Sequence, residues 1–171
     1  MPISGTPKIG GAQMEFVETC QPADGSVGSA TLTASTAYLI RVRVARALTV
    51  SNIEIYVGGT SAGNVDAGIY SVDATYTTWT RMASAGSTAM GTANAIQTLA
   101  LSGSVTLQPG VDYYLAFVTD SATAALLRNA GVGAVVCAHN RAVQKPSTFP
   151  LPASLTSVAR SSGTVPWVLA Y

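Results

Sequence analysis

Along most of this chain apolar residues recur at every second position, a spacing that leaves little besides β-sheet open to it. In residues 37–46 (AYLIRVRVAR), Ile40, Val42 and Val44 alternate with Arg41 and Arg43. In 105–118 (VTLQPGVDYYLAFV), Val111, Tyr113, Leu115 and Phe117 fall on one face, as Leu99, Leu101, Val105 and Leu107 do before them. Pro109 and Gly110 between the two runs suit the central positions of a type II turn, where proline pre-sets φ and glycine accepts φ > 0. The expectation is an antiparallel hairpin, each strand with one face in a core.

The rest of the chain repeats this grammar. Residues 48–57 put Leu48 and Val50 on one face, then change phase so that Ile53, Ile55 and Val57 line up. That predicts a turn or bulge near Ser51–Asn52. The runs at 67–72 and 78–84 are separated by a connection of hairpin length, 88–95 is a soft linker, and 131–138 and 167–171 read as strands. Three prolines make 145–152 an irregular crossing. Only 122–129 (ATAALLRN) could form a helical turn or two. Eight to ten strands with turn signals every eight to twelve residues predict an all-β, antiparallel β-sandwich of jelly-roll type. A barrel or immunoglobulin-like sandwich is the runner-up, without the Cys…Trp…Cys hallmark. Residues 1–15, with two prolines and three glycines, are expected as an extended N-terminal arm, and 16–171 as the β-sandwich domain. An arm of this composition needs a surface to lie on, its own domain or a neighbour, with Ile3, Pro7, Ile9 and Met14 as its contacts.

Charge is the next constraint. Only 10 % of the residues are charged, against about 25 % in an ordinary globular protein. A 17.4 kDa monomer exposes roughly 7,900 Å², so its charges are spread at about one per 460 Å². Ala, Ser and Thr supply 64 of the 171 residues. A surface this neutral suits either a Ser/Thr-coated β protein that stays monomeric or, the favoured reading, a protein largely covered by other subunits. A net charge of +1 gives no electrostatic case for nucleic acid or membrane as a partner. The apolar runs are too short for a membrane helix, and the first residues show no apolar signal core. Cys20 and Cys137 read as small buried thiols made in a reducing cell rather than as a bridge.

Residues that could carry chemistry are few. His139 beside Cys137 supplies two potential metal ligands where zinc takes three or four, and as a nucleophilic pair the thiol sits in a core-like VVCA run. The eight carboxylates stand in no signature, and most lie beside turns. No phosphate-binding glycine loop, GxSxG or HExxH occurs. The expectation is no catalytic residue, no cofactor and no metal. Arg41, Arg43 and Arg46 form the one charge cluster. They read either as a solvated strand face paired across to Glu54 or as a docking patch for an acidic partner. Tyr70, Tyr76, Trp79 and Trp167 are core or rim aromatics, or alternatively surfaces on which a glycan stacks.

The ordered series Gly68-Ile69-Tyr70, Trp79, and Leu107 with Pro109-Gly110 and Tyr113-Tyr114-Leu115-Ala116 resembles modules of tailed-bacteriophage virion proteins. There a GIY strand, a Trp-bearing strand and a PG-x-YYLA hairpin recur in β-sandwich domains of fibres and capsid-surface proteins. The resemblance covers roughly residues 30–120. It implies a virion structural protein, made in the host bacterial cytoplasm. The β pattern begins within about fifteen residues of Met1 with no shaft before it. This favours a small capsid decoration (cement) protein on the capsid surface, a homotrimer reaching across the major capsid protein. The alternative is a tail-fibre or receptor-binding module that reads host glycan through Tyr70, Trp79 or Trp167.

Overall fold

The computed structural model describes residues 16–18, 27–129, 142–146, 149–160 and 165–171. The arm with Ile3, Pro7, Ile9 and Met14, the expected strand at 131–138, and Cys20, Cys137 and His139 lie outside the described residues.

Eight strands form the frame: β2 (Val27–Thr31), β3 (Thr36–Val42), β4 (Leu48–Val57), β5 (Asn64–Val72), β6 (Thr78–Ser84), β8 (Ala95–Leu107), β9 (Tyr113–Thr119) and β10 (Ala125–Asn129). Two antiparallel sheets result, the first in the order β2-β10-β4-β8 and the second β3-β9-β5-β6. The pairs β2·β10, β3·β9, β4·β8 and β5·β6 are the rungs of one antiparallel ribbon that has been rolled up. That wiring is the jelly roll. Of strands consecutive in this frame, only β5 and β6 lie side by side in one sheet, so the hairpin expected there is present. The phase change at Ser51 is also present, as a register shift between Val50 and Asn52.

Three local expectations are overturned by this topology. The Pro109–Gly110 turn is formed as read, with Gly110 at φ 76° and the Val111 amide donating to the Gln108 carbonyl at 3.4 Å. It does not close a hairpin, however: β8 pairs with β4, and β9 with β3 and β5, so the turn carries the chain from one sheet to the other. Val111, expected with the core-facing residues, is exposed on that arch. The helical turn at 122–129 is strand β10, whose five residues all pair with β2; a partner edge outweighs a weak local helix preference. Finally, β3 and β4 sit in different sheets, so Arg41 faces Tyr114 of β9 rather than Glu54.

Short strands complete the sheets. β1 (Val17–Glu18), β14 (Val165–Pro166) and β15 (Val168–Ala170) join the first. From their only paired point, Leu126 opposite Val57, β10 and β4 diverge. The C-terminal chain fills the wedge, running in along β10, turning at Trp167 and leaving along β4. β7 (Thr88–Ala89), β11 (Val143–Pro146), β12 (Ser154–Thr156) and β13 (Ala159–Arg160) join the second.

The main core lies between the sheets, built from residues such as Ile40, Val50, Ile53, Ile55, Ile69, Leu99, Leu107, Leu115 and Phe117. A second cluster covers the outer face of the second sheet: Leu39, Tyr70, Trp79, Tyr114, Ala116 and Val118 beneath Leu151 and Leu155. Burying an aliphatic or aromatic side chain of this kind contributes about 1.5–3 kcal/mol.

Candidate functional site

The second cluster exists because residues 149–160 lie over the outer face of the second sheet, following 142–146 at its edge. β11 pairs along β3 at one edge, β12 pairs along β6 at the other, and β13 returns beside β11. Three side chains on that face hold the crossing. Tyr70 donates its hydroxyl to the Pro152 carbonyl at 2.5 Å. Arg81 donates to the Leu151 carbonyl, and the buried Asp66 carboxylate accepts the Leu151 amide at 3.0 Å. Gly68 lies beneath them: a Cβ there would stand 2.7 Å from the Ala83 carbonyl oxygen and 3.2 Å from Leu151 Cδ1. Burial pushes the Asp66 carboxyl above its usual range, against the opposing pull of the Leu151 and Gly86 amides and the Arg81 charge.

At one end of this face stands a charged node. Asp112, 7 % exposed, follows the Pro109–Gly110 arch and accepts hydrogen bonds from Arg43 Nε and the Tyr76 hydroxyl, with Arg41 at 3.6 Å. Burial alone would raise its pKa. The bonds from Arg43 and Tyr76 and the charges of both arginines outweigh that, leaving the carboxyl below its ordinary value. The node ties the inter-sheet arch to the end of β3 and to the 73–77 loop. A carboxylate so held anchors the arch, the end of β3 and the loop to one another.

Between the 73–77 loop and the returning crossing runs an open groove. Two adjoining hollows of about 420 and 380 Å³ share Tyr76, Trp79 and Val158. Trp79 and Tyr114, edge-to-face at 5.8 Å and 82°, form the floor. Thr77, Thr78, Thr156 and Ser157 line one hollow, and Arg160 the other. The loop beside it is fixed by Asp73, which accepts the Thr77 and Thr78 amides and the Thr75 and Thr77 hydroxyls. Those bonds, the Thr77 hydroxyl foremost, hold the Asp73 carboxyl far below the usual range.

The structure distributes the sequence-predicted residues as follows. Arg41 and Arg43 do share one face, but their partner is Asp112, brought there by strand β9; Arg46 lies exposed in the turn that follows β3. Tyr70 is fully buried and presents no ring face for stacking, and Trp79 is 4 % exposed. Trp167 lies in the other sheet, half-buried at the apex of the wedge, so the three aromatics do not converge on one site. Sequence reasoning missed Asp112 as the arginines' partner, and Thr156, Ser157 and Arg160 as groove residues. The first was hidden by a 69-residue separation; the others stand in a stretch with no periodicity. Among the described residues no group of three or more His, Cys, Asp or Glu could hold a metal ion, and no helix is long and apolar enough to cross a membrane. No protein-family model matches the chain, and no curated protein sequence matches it either.

Proposed function

We propose that this chain is a non-enzymatic structural protein of a tailed-phage virion, a capsid decoration (cement) protein that bridges neighbouring major capsid subunits, as a homotrimer on the capsid surface. The observation that carries this reading is the outer face of the first sheet. Across β4, β8 and β15 the single charged side chain is Glu54. It already accepts the Tyr171 hydroxyl at 3.1 Å and the Thr98 hydroxyl at 3.4 Å. The exposed surface there includes Thr49, Ser51, Thr98, Ala100, Ser102, Ser104, Thr106 and Ile96, the last 57 % exposed. Covering such a face would bury a single charge, Glu54, which already holds two hydroxyl partners, and each Å² of apolar area removed from water contributes about 25 cal/mol. The jelly roll itself serves capsid and lectin domains alike, so the choice rests on this surface and not on the fold.

The test is the copy number of the chain in purified particles, by quantitative mass spectrometry against the major capsid protein. Near parity with the shell is the expected result. A few to some dozens of copies would transfer the protein to the tail, and absence from particles would end the virion reading.

A further inference from the structure

We infer that the groove over Trp79 and Tyr114 is a binding site for a pyranose oligosaccharide. The inference stands apart from the capsid reading, since it uses the second sheet and not the bare face of the first.

The chemistry of the lining decides among ligand classes. An apolar peptide would need a continuous apolar wall, and this groove is interrupted by the hydroxyls of Thr156 and Ser157. A phosphate group would need several uncommitted cations or a nest of backbone amides. Here Arg41 and Arg43 are both committed to Asp112, which leaves Arg160 in the lining. A pyranose ring is amphiphilic in the matching sense: its C–H face packs on an aromatic ring while its equatorial hydroxyls seek donors and acceptors at the rim. Tyr76 offers such a ring. It is 38 % exposed, and its hydroxyl is tied to Asp112, so the ring is held before any ligand arrives. Preorganisation of this kind lowers the ordering cost of binding.

The backbone points to the same place. Tyr76 at φ 55° and Ser157 at φ 52°, two of the four non-glycine residues with positive φ among the described residues, both occupy the left-handed region, uncommon for any residue with a side chain and most of all for a bulky one. Each lines the hollow that the other lines. Strain of this sort persists where surrounding contacts over-determine it, and it collects at binding sites. Each hollow, at about 420 and 380 Å³, has room for a sugar ring.

The experiment uses the full chain carrying Trp167→Phe, so that Trp79 is the sole tryptophan. Its fluorescence is followed while two- to four-ring oligosaccharides, neutral and uronic-acid-bearing, are added up to ~10 mM, a range that captures binding as weak as millimolar. Inorganic phosphate is titrated in parallel. The expected result is a saturable change with at least one oligosaccharide, weakened about tenfold or more by Tyr76→Ala and by Arg160→Ala. The unfolding midpoint of each variant confirms that it is folded, and Arg160→Ala, an exposed change, keeps the test open should Tyr76→Ala unfold. Silence across the panel, a response to phosphate alone, or saccharide binding unchanged in both variants would overturn the assignment.

Discussion

β8 and β9 are joined by a single turn and read alike as alternating strands, yet they finish in opposite circumstances. All seven residues of β9 are buried, whereas the thirteen of β8 are buried only at Leu99, Val105 and Leu107. Both strands give one face to the main core. The difference lies on the other face, where the second sheet is covered by residues 149–160 and the first is bare among the described residues. The lesson is that alternation sets which side chains share a face, not whether that face meets water. What covers a sheet comes from elsewhere in the chain, or from another chain.

The comparison breaks most visibly at Tyr70. Tyr70→Ala removes a fully buried ring and the bond to Pro152, and it should cost about 3–5 kcal/mol in urea unfolding. Ile96→Ala on the bare sheet should stay within about 0.5 kcal/mol; equal losses would refute the asymmetry. Gly68→Val should follow at about 1–3 kcal/mol, since the new side chain must displace β6 backbone or Leu151. Limited proteolysis should then show cleavage near 149–153 before the sheets unfold.

Asp112→Ala should cost about 1–2 kcal/mol at neutral pH, because two arginines and a phenol lose their acceptor. The pH dependence gives its sign. The Asp112 pKa is depressed in the folded state, so its contribution is present above the ordinary carboxylate value and lost as pH falls through the folded one. Asp66 runs the other way. Its folded pKa is raised, so its contribution is present below the ordinary carboxylate value and fades as pH rises through the folded one. Stability of Asp66→Asn relative to the parent chain should therefore climb as pH rises above the ordinary carboxylate value, followed by thermal unfolding; a flat or falling difference would contradict the burial-driven shift. The smallest effect on folding, and the sharpest on assembly, belongs to Thr98→Lys with Ala100→Lys. Stability should move by no more than about 0.5 kcal/mol. If the proposed homotrimer forms through this face, native mass spectrometry should show it reduced to monomer; an intact oligomer would move the interface elsewhere, and a parent chain that is already monomeric would remove the homotrimer from the proposal.

Much of the fold was legible because it is local. The alternation of Ile40, Val42 and Leu115, Phe117 predicts core faces that are occupied as expected. The Val50/Asn52 bulge and the β5–β6 hairpin are there as read. Gly110 adopts the positive φ that the turn demands. Much less of the candidate site was legible. Arg41 and Arg43 announced themselves, but Asp112 did not announce itself as their partner, and whether Tyr70 was a core ring or a stacking surface was decided only by Leu151 and Pro152 lying over it.

The period of two, the turn chemistry and the scarcity of charge are properties of neighbours in sequence, and they suffice to determine an all-β chain with a neutral exterior. Strand partners, the crossing of the Pro109–Gly110 arch between sheets, the covering of Tyr70 and the meeting of Tyr76 with Ser157 across a groove were decided only by the tertiary structure. The physical reason is the same in each case. A strand's backbone will pair with any edge of matching register, so partner choice is settled by the whole rolled ribbon minimising exposed apolar surface, and no short stretch carries that sum.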